Sequence, residues 1–414
     1  MENYLRQPIF NELWQNLTGP INLIQAVVGP RQVGKTTLAL QIFAKWKGPK
    51  IYETADHPDT PSVDWIKTYW EEIRLRCGSQ REKGLLILDE VQKIPDWSAV
   101  VKKLFDEDKR KKSKIRILIL GSSSLLMQRG LTESLTGRFE LHRHYQWSLA
   151  ECHDCFGIHL DEYIYFGGYP GALVLRKDEP RWGRFMRDSL IETVLSKDVI
   201  LLAPITKPIL LRQAFGLAVT HPAQILSYQK MLGALQDAGN TTTIASYLNL
   251  LSQAFLLMPL ERWSGAKIRQ RGSIPKIMVF DNGLITAMLG GDFKEVRKDK
   301  VCWGRLIENI VGARLHFLAE KIGGRLYYWR ERQNEVDYVL KIGRRLLAFE
   351  IKSGIPEKPP ATLREFKKKY KEAENYFISS SEDSQIQGVT NMTLEKFLKD
   401  PQKALNLPFC LDRK

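Results

Sequence analysis

Two glycines, a lysine, a threonine and a pair of carboxylates stand in the first hundred residues at the spacing that triphosphate chemistry requires. Gly29-Pro30-Arg31-Gln32-Val33-Gly34-Lys35-Thr36-Thr37 fits the pattern GxxxxGK[ST], with the apolar run LIQAVV before it and the helix-forming run TLALQIFAKW after it. Gly29 and Gly34 let a backbone wrap phosphate oxygens, and the amides that open the helix point at negative charge. Lys35 then reaches the terminal phosphates and Thr36 is placed to ligate Mg²⁺. About fifty residues further on, LLILDE ends an apolar strand in two acids. Asp89 is expected to hold Mg²⁺, mostly through water, and Glu90 to polarise the attacking water, which points to hydrolysis rather than binding alone. The run IRILILGSSS sets Ser122, Ser123 and Ser124 at the next strand tip, where a hydroxyl can orient that water or sense the terminal phosphate. A serine-rich strand-to-helix turn explains the same residues. Arg138, in ESLTGRF, offers a cation for transition-state charge, and if it serves a neighbouring subunit's nucleotide the protein must be a homo-oligomer.

A second constellation lies near the C-terminus. Asp337 stands in NEVDYVL and Glu350-Ile-Lys352 in LLAFEIKSG, with twelve residues between the two acids, a fitting length for a hairpin. Strand alternation puts Glu350 and Lys352 on one face and Ile351 on the other. Two acids sharing Mg²⁺ while a lysine polarises or deprotonates water is a phosphodiesterase arrangement. Glu308, on the preceding helix, offers a further acidic metal ligand. The same acid-x-Lys triplet occurs at Glu107-x-Lys109 and Glu365-x-Lys367, but in charge-rich stretches that read as solvated. A surface hairpin with a cross-strand ion pair is the competing reading of Glu350 and Lys352. Arg330, Arg332, Arg344 and Arg345 bracket this face, and Tyr327, Tyr328 and Trp329 interleave aromatics with them, as phosphate contact and base stacking in a nucleic-acid groove would need.

Strand and helix signals alternate through residue 150, which implies an α/β domain with a mostly parallel sheet. Residues 151–205 read as a helical lid or linker, interrupted by FGGYPGA, whose glycines and proline force a tight turn. In 206–300, SYQKMLGALQ and TTIASYLNLLSQ flank DAGN as a helix-turn-helix, with FLLMPLERW and PKIMVFD able to supply a wing. Thr241, Thr242, Thr243, Ser246 and Asn249 line its second helix, where they could meet a DNA groove. Residues 301–414 open with a long helix and continue in three strand-like runs.

The chain has 414 residues with Lys+Arg 62 against Asp+Glu 47, a net charge of +15 that favours a polyanionic partner. The absence of a long apolar run and of a signal-like N-terminus reads as cytoplasmic, with no integral membrane segment. The five cysteines form no disulfide framework, and Cys152-x-x-Cys155, with histidines nearby, could be half of a zinc site, but without a second ligand pair it reads better as buried or half-buried thiols at a domain junction.

GPRQVGKTT, LLILDEVQKIPDW, ILGSSS, SLTGRF, FGGYPGA, SYQKMLGALQDAG and PKIMVFDNGL together resemble a widespread family of prokaryotic AAA+ ATPases that carry a C-terminal domain of unassigned function. The resemblance spans nearly the whole chain. It implies a P-loop ATPase core, a winged-helix middle region and a C-terminal domain with a restriction-endonuclease-like PD-(D/E)xK core, with ATP and Mg²⁺ as cofactors. On this reading ATP hydrolysis controls a nuclease-like domain acting on or binding nucleic acid, DNA favoured. The alternative is a nucleotide-switched protein-interaction module with a silent nuclease-like domain.

Overall fold

The computed structural model describes residues 4–78, 83–122, 127, 131, 134–202, 205–235, 240–265, 274–352, 360–380, 385–386 and 388–407. Ser123, Ser124, Cys410 and most of the DAGN turn lie outside them. The chain divides into two compact units, Met1–Tyr145 and Gln146–Lys414.

In the first unit, strands β1 (Ile24–Val28), β2 (Lys50–Thr54), β3 (Leu85–Asp89), β4 (Arg116–Gly121) and β5 (Phe139–Arg143) form one sheet ordered β2-β3-β4-β1-β5. Every pairing in it is parallel. β1, β3 and β4 are buried along their whole length, so their sequences are unbroken apolar runs rather than alternating ones. Its described residues include the helices α1 (Gln7–Thr18), α2 (Lys35–Lys45), α3 (Val63–Cys77) and α4 (Trp97–Arg110). Phe10, Leu13 and Leu17 of α1 share an apolar cluster with Leu38, Ala39 and Ile42 of α2 and with Val27, Ile87, Leu118 and Leu120 of the sheet. Because β4 lies between β1 and β3, the carboxyl ends of all three meet at one edge, the edge where α2 begins. Such an edge is where open parallel sheets bind ligands.

Among the described residues the second unit is helical from Leu149 to Thr220, apart from short connections. In its FGGYPGA turn Gly167 has φ +72°, and a Cβ there would meet Asp281 Oδ1 at 1.9 Å, so only glycine serves. Asp281 closes the turn by accepting the amides of Gly168 at 2.7 Å and Gly283 at 2.9 Å. Helices α5 (Tyr228–Ala234) and α6 (Thr241–Gln253) accompany an antiparallel sheet of β6 (Gln224–Ile225), β7 (Leu257–Leu260) and β8 (Lys276–Val279), ordered β6-β8-β7. Helix α7 (Lys300–Ile322) locks onto this sheet through Asn309, whose side chain accepts the Val279 amide and donates to the Val279 carbonyl, each at 2.8 Å.

Among the described residues six strands follow: β9 (Arg325–Glu331), β10 (Asn334–Ile342), β11 (Arg345–Lys352), β12 (Glu374–Ser379), β13 (Gln385–Ile386) and β14 (Val389–Thr393). Their order is β13-β14-β12-β11-β10-β9, antiparallel from β9 to β11 and parallel across β11, β12 and β14. Helix α8 (Ala361–Lys369) buries Leu363 and Phe366 in a cluster with Tyr327, Trp329, Val336 and Phe377. The aromatic residues of β9 therefore do not form a stacking platform: Tyr327, Tyr328 and Trp329 are buried, with Trp329 edge-on to Phe366 and the Tyr328 hydroxyl donating to the Ile274 carbonyl. A strand carrying three apolar rings beside an amphipathic helix buries them for the area they remove from water. Arg330, Arg332 and Arg344 are exposed, while Arg345 makes a two-point ion pair with Glu374. Among the described residues no helix is long and apolar enough to cross a membrane.

Candidate functional site

At the sheet edge of the first unit, Gly29 to Thr37 form the loop from β1 into α2. Gly29 lies so close to His144 that a Cβ would sit 2.1 Å from the His144 carbonyl oxygen, and Gly34 takes φ +96°, which favours glycine. Val33 is fully buried and anchors the loop, while Gln32 and Thr37 are exposed. The Lys35 ammonium is buried and donates to the carbonyls of Gly29 at 2.9 Å and Pro30 at 2.7 Å. Thr36 Oγ1 donates to Asp89 Oδ2 at 2.8 Å, joining α2 to the tip of β3.

Asp89 is held from a second side by the Tyr52 hydroxyl at 2.9 Å. Burial raises the Asp89 carboxyl above its usual range, against the hydrogen bonds from Thr36 and Tyr52, with Glu90 adding like charge. Burial and the neighbouring Asp89 push the Tyr52 hydroxyl well up as well, so it stays a donor. Asp89 Oδ1 is buried without a hydrogen-bond partner among the described residues. A buried, partnerless carboxylate oxygen next to a threonine hydroxyl fits Mg²⁺ and its water shell.

Glu90 takes φ 54° just past β3 and accepts from the Ser122 hydroxyl at 2.9 Å and from the Gln92 amide. Ser122 at the tip of β4 therefore aims a carboxylate. Three residues here escape motif reading. Tyr52 and Gln92 sit in ordinary strand and turn contexts. His144 is fully buried, accepts from Arg6 Nη1 at 2.9 Å, and is held neutral by burial and the charges of Arg6 and Lys35. Arg138 forms a two-point ion pair with Asp106 of α4 in its own chain, at 2.7 and 3.0 Å. Within one chain its guanidinium is engaged there.

In the second unit, the register that sets Tyr338 opposite Phe349 carries Asp337 to the carboxyl end of β11, where its Oδ2 accepts the Ile351 amide at 2.8 Å. The pairing of β9 with β10 shifts between Val336 and Val339, an irregularity of the kind that re-aims side chains. Glu308 of α7 and Asp337 come together, and Glu335, which the motif did not include, joins them: their carboxylate oxygens lie within 4.8 Å of one another. Glu350 pairs instead with Lys352 at 3.0 Å and accepts from Thr362 at 3.2 Å.

The acids have a lysine among them. Lys276 of β8 is completely buried, and its ammonium lies 2.6 Å from Glu308, 3.2 Å from Glu335 and 3.8 Å from Asp337. Burial alone would lower this lysine, but Glu308, Asp337, Tyr338 and Glu335 carry it above the ordinary range, so it stays charged. Burial, with the like charges of Glu308 and Glu350, raises the Asp337 carboxyl despite the pull of Lys276 and Lys352. An ion shared by Glu308, Glu335 and Asp337 would compete with this ammonium for the same oxygens, and Glu350 is not one of the three acids so grouped among the described residues. Among the described residues neither Cys152 nor Cys155 joins a group able to hold a metal ion.

Residues 22–153 match the family described as AAA domain, and residues 158–295 and 303–397 match two domains of unknown function, DUF8612 and DUF4143. An uncharacterized protein of Mycobacterium tuberculosis is 32% identical over 330 residues, 79% of this chain and 69% of that protein. One from Haemophilus influenzae is 23% identical over 397 residues, 89% of this chain and 91% of that protein. Among solved structures, the Walker-type ATPase of Pyrococcus abyssi aligns at 12% identity and a TM-score of 0.44 over 69% of this chain and 96% of its own, a likeness too loose to carry an argument. The AAA match covers the sheet and loop described above, and the first unit has an AAA-type, P-loop ATPase-like fold.

Proposed function

The chain belongs to the same family as its mycobacterial relative and carries an AAA domain, and from that premise we propose that it binds and hydrolyses ATP with Mg²⁺ at the β1, β3 and β4 edge. The observation that carries this is the bond from Thr36 to Asp89 at 2.8 Å, beside a partnerless Asp89 oxygen. Bound Mg²⁺ would neutralise charge on the phosphates. The loop Gly29 to Thr37 offers its amides to phosphate oxygens at the start of α2. Lys35 exchanges the Gly29 and Pro30 carbonyls for the terminal phosphates, and Thr36 and Asp89 hold the ion's side of the site. Glu90, oriented by Ser122, takes the proton of the attacking water. Arg138 would serve a neighbouring subunit only by leaving Asp106, which makes homo-oligomer formation the condition for that role.

For the second unit the reading is a winged-helix region and a nuclease-like domain that engage nucleic acid, DNA favoured. The exposed Thr242, Ser246 and Asn249 on one face of α6 and the net charge of +15 support it. The buried Lys276 among the acids favours the second reading, an ATP-switched interaction module whose nuclease-like domain is silent.

Phosphate release from Mg²⁺·ATP tests the core of the proposal: wild type turns over, Lys35→Ala does not, and Glu90→Gln is slower by about 10² or more. Turnover that survives Lys35→Ala sinks it. Titration with duplex DNA separates the two readings of the second unit. Six or more phosphate contacts predict an affinity loss of about 10³-fold between 50 and 200 mM salt, whereas a protein-docking module shows no DNA affinity to lose.

A further inference from the structure

All four residues of β8 are buried, and Lys276 alone among them is charged. A lysine ammonium has three N–H donors and no acceptor. Those of Lys276 are accounted for by Glu308 Oε1 at 2.6 Å, Glu335 Oε1 at 3.2 Å and the Asp337 carbonyl at 3.2 Å, and the ring of Tyr338 lies 5.0 Å away. Mg²⁺ or Ca²⁺ held by carboxylates sits about 2.0–2.6 Å from each oxygen. An ion shared by Glu308, Glu335 and Asp337 would have to occupy the volume that the ammonium fills. Lys352, the lysine of the acid-x-Lys motif, is by contrast more than half exposed and pairs with Glu350 at 3.0 Å.

We infer that Lys276 is a built-in replacement for the divalent cation of this acidic pocket, so that Glu308, Glu335 and Asp337 share no metal ion. The lysine belongs to the β6-β8-β7 sheet and the acids to α7 and β10, so the ion pair fastens the middle region to the C-terminal sheet. Removing the ammonium both frees that volume and takes away the charge that repels an incoming cation, which favours cation entry by about a hundredfold or more even in a polar protein environment. The inference rests on the nuclease-like reading of the C-terminal fold and is independent of the ATPase reading.

The test follows Mn²⁺ uptake by the electron paramagnetic resonance signal of the free ion, on the full chain without nucleotide. Wild type, Asp337→Asn, Lys276→Met and the double variant Lys276→Met/Asp337→Asn are compared. Wild type and Asp337→Asn are expected to bind the same number of Mn²⁺ ions. Lys276→Met takes up one more, at least about 100-fold more tightly than wild type does. The double variant loses that ion, and Mn²⁺ raises the melting temperature of Lys276→Met but not of wild type. An ion held by wild type and lost in Asp337→Asn overturns the inference while leaving the nuclease-like fold reading intact. A folded Lys276→Met that gains no ion overturns it too, because the acids then form no cation seat. Should Lys276→Met fail to fold, the comparison of wild type with Asp337→Asn decides alone.

Discussion

Both units set a buried lysine near clustered acids, and the two arrangements differ in what they leave open to a ligand. Lys35 donates to two carbonyls of its own loop, bonds that a phosphate oxygen can replace at little cost, and Asp89 keeps a buried oxygen with no partner. Lys276 has its three donors on Glu308, Glu335 and Asp337, inside the acids that a metal ion would need. Desolvation makes an unmet buried polar atom costly and a met one hard to dislodge. Residue types at a site therefore say less than whether its acceptors are already taken.

Four substitutions press on that contrast. Glu90→Gln is expected to lower kcat by about 10² to 10⁴ with nucleotide affinity kept, since it removes the base and leaves the cradle; single-turnover hydrolysis reads this directly. Lys276→Met leaves three acids facing one another and costs about 3–5 kcal/mol, read from urea unfolding, with part regained in Lys276→Met/Glu308→Gln. An equal loss in Lys35→Ala would erase the distinction between the two lysines.

Asp281→Asn probes the clamp on the FGGYPGA turn. Burial pushes the Asp281 carboxyl from 3.8 up to about 7, against the Gly168 and Gly283 amides. Between those values the folded protein holds a proton that the unfolded chain has released. Its contribution to stability is complete below 3.8 and is lost as pH rises through about 7. Wild type should thus lose more of its urea midpoint between about pH 5 and pH 8 than Asp281→Asn does, and parallel pH profiles contradict the shift that burial imposes on Asp281. Tyr52→Phe has the smallest expected effect, about 0.5–1.5 kcal/mol in Mg²⁺·nucleotide binding, from the lost bond to Asp89.

The P-loop core could be read from the chain because its determinants are contiguous: a buried parallel strand must be an apolar run, and the loop after β1 must carry glycines where the backbone turns. Tyr52 and His144 were illegible, since they reach the site by the pairing of β2 with β3 and β5 with β1, which spacing does not encode. In the second unit the strands β9, β10 and β11 stood out by alternation and short turns, but the environment of Asp337 did not. Its neighbours Lys276 of β8 and Glu308 of α7 come from some sixty and thirty residues upstream. A signal for Lys276 was present, a single charge inside the apolar run PKIMVF, and it read as a wing strand because nothing local says where that strand docks. The rings of β9 misled because interleaved arginines mimic a stacking groove, while burial against α8 is a long-range event.

Calorimetric titration of the full chain with a slowly hydrolysed ATP analogue and Mg²⁺ tests the central claim most directly. The account predicts uptake of one nucleotide per chain, lost in Lys35→Ala and weakened when Mg²⁺ is chelated. Folded wild-type protein that takes up no nucleotide, or takes it up as well with Lys35→Ala, contradicts it.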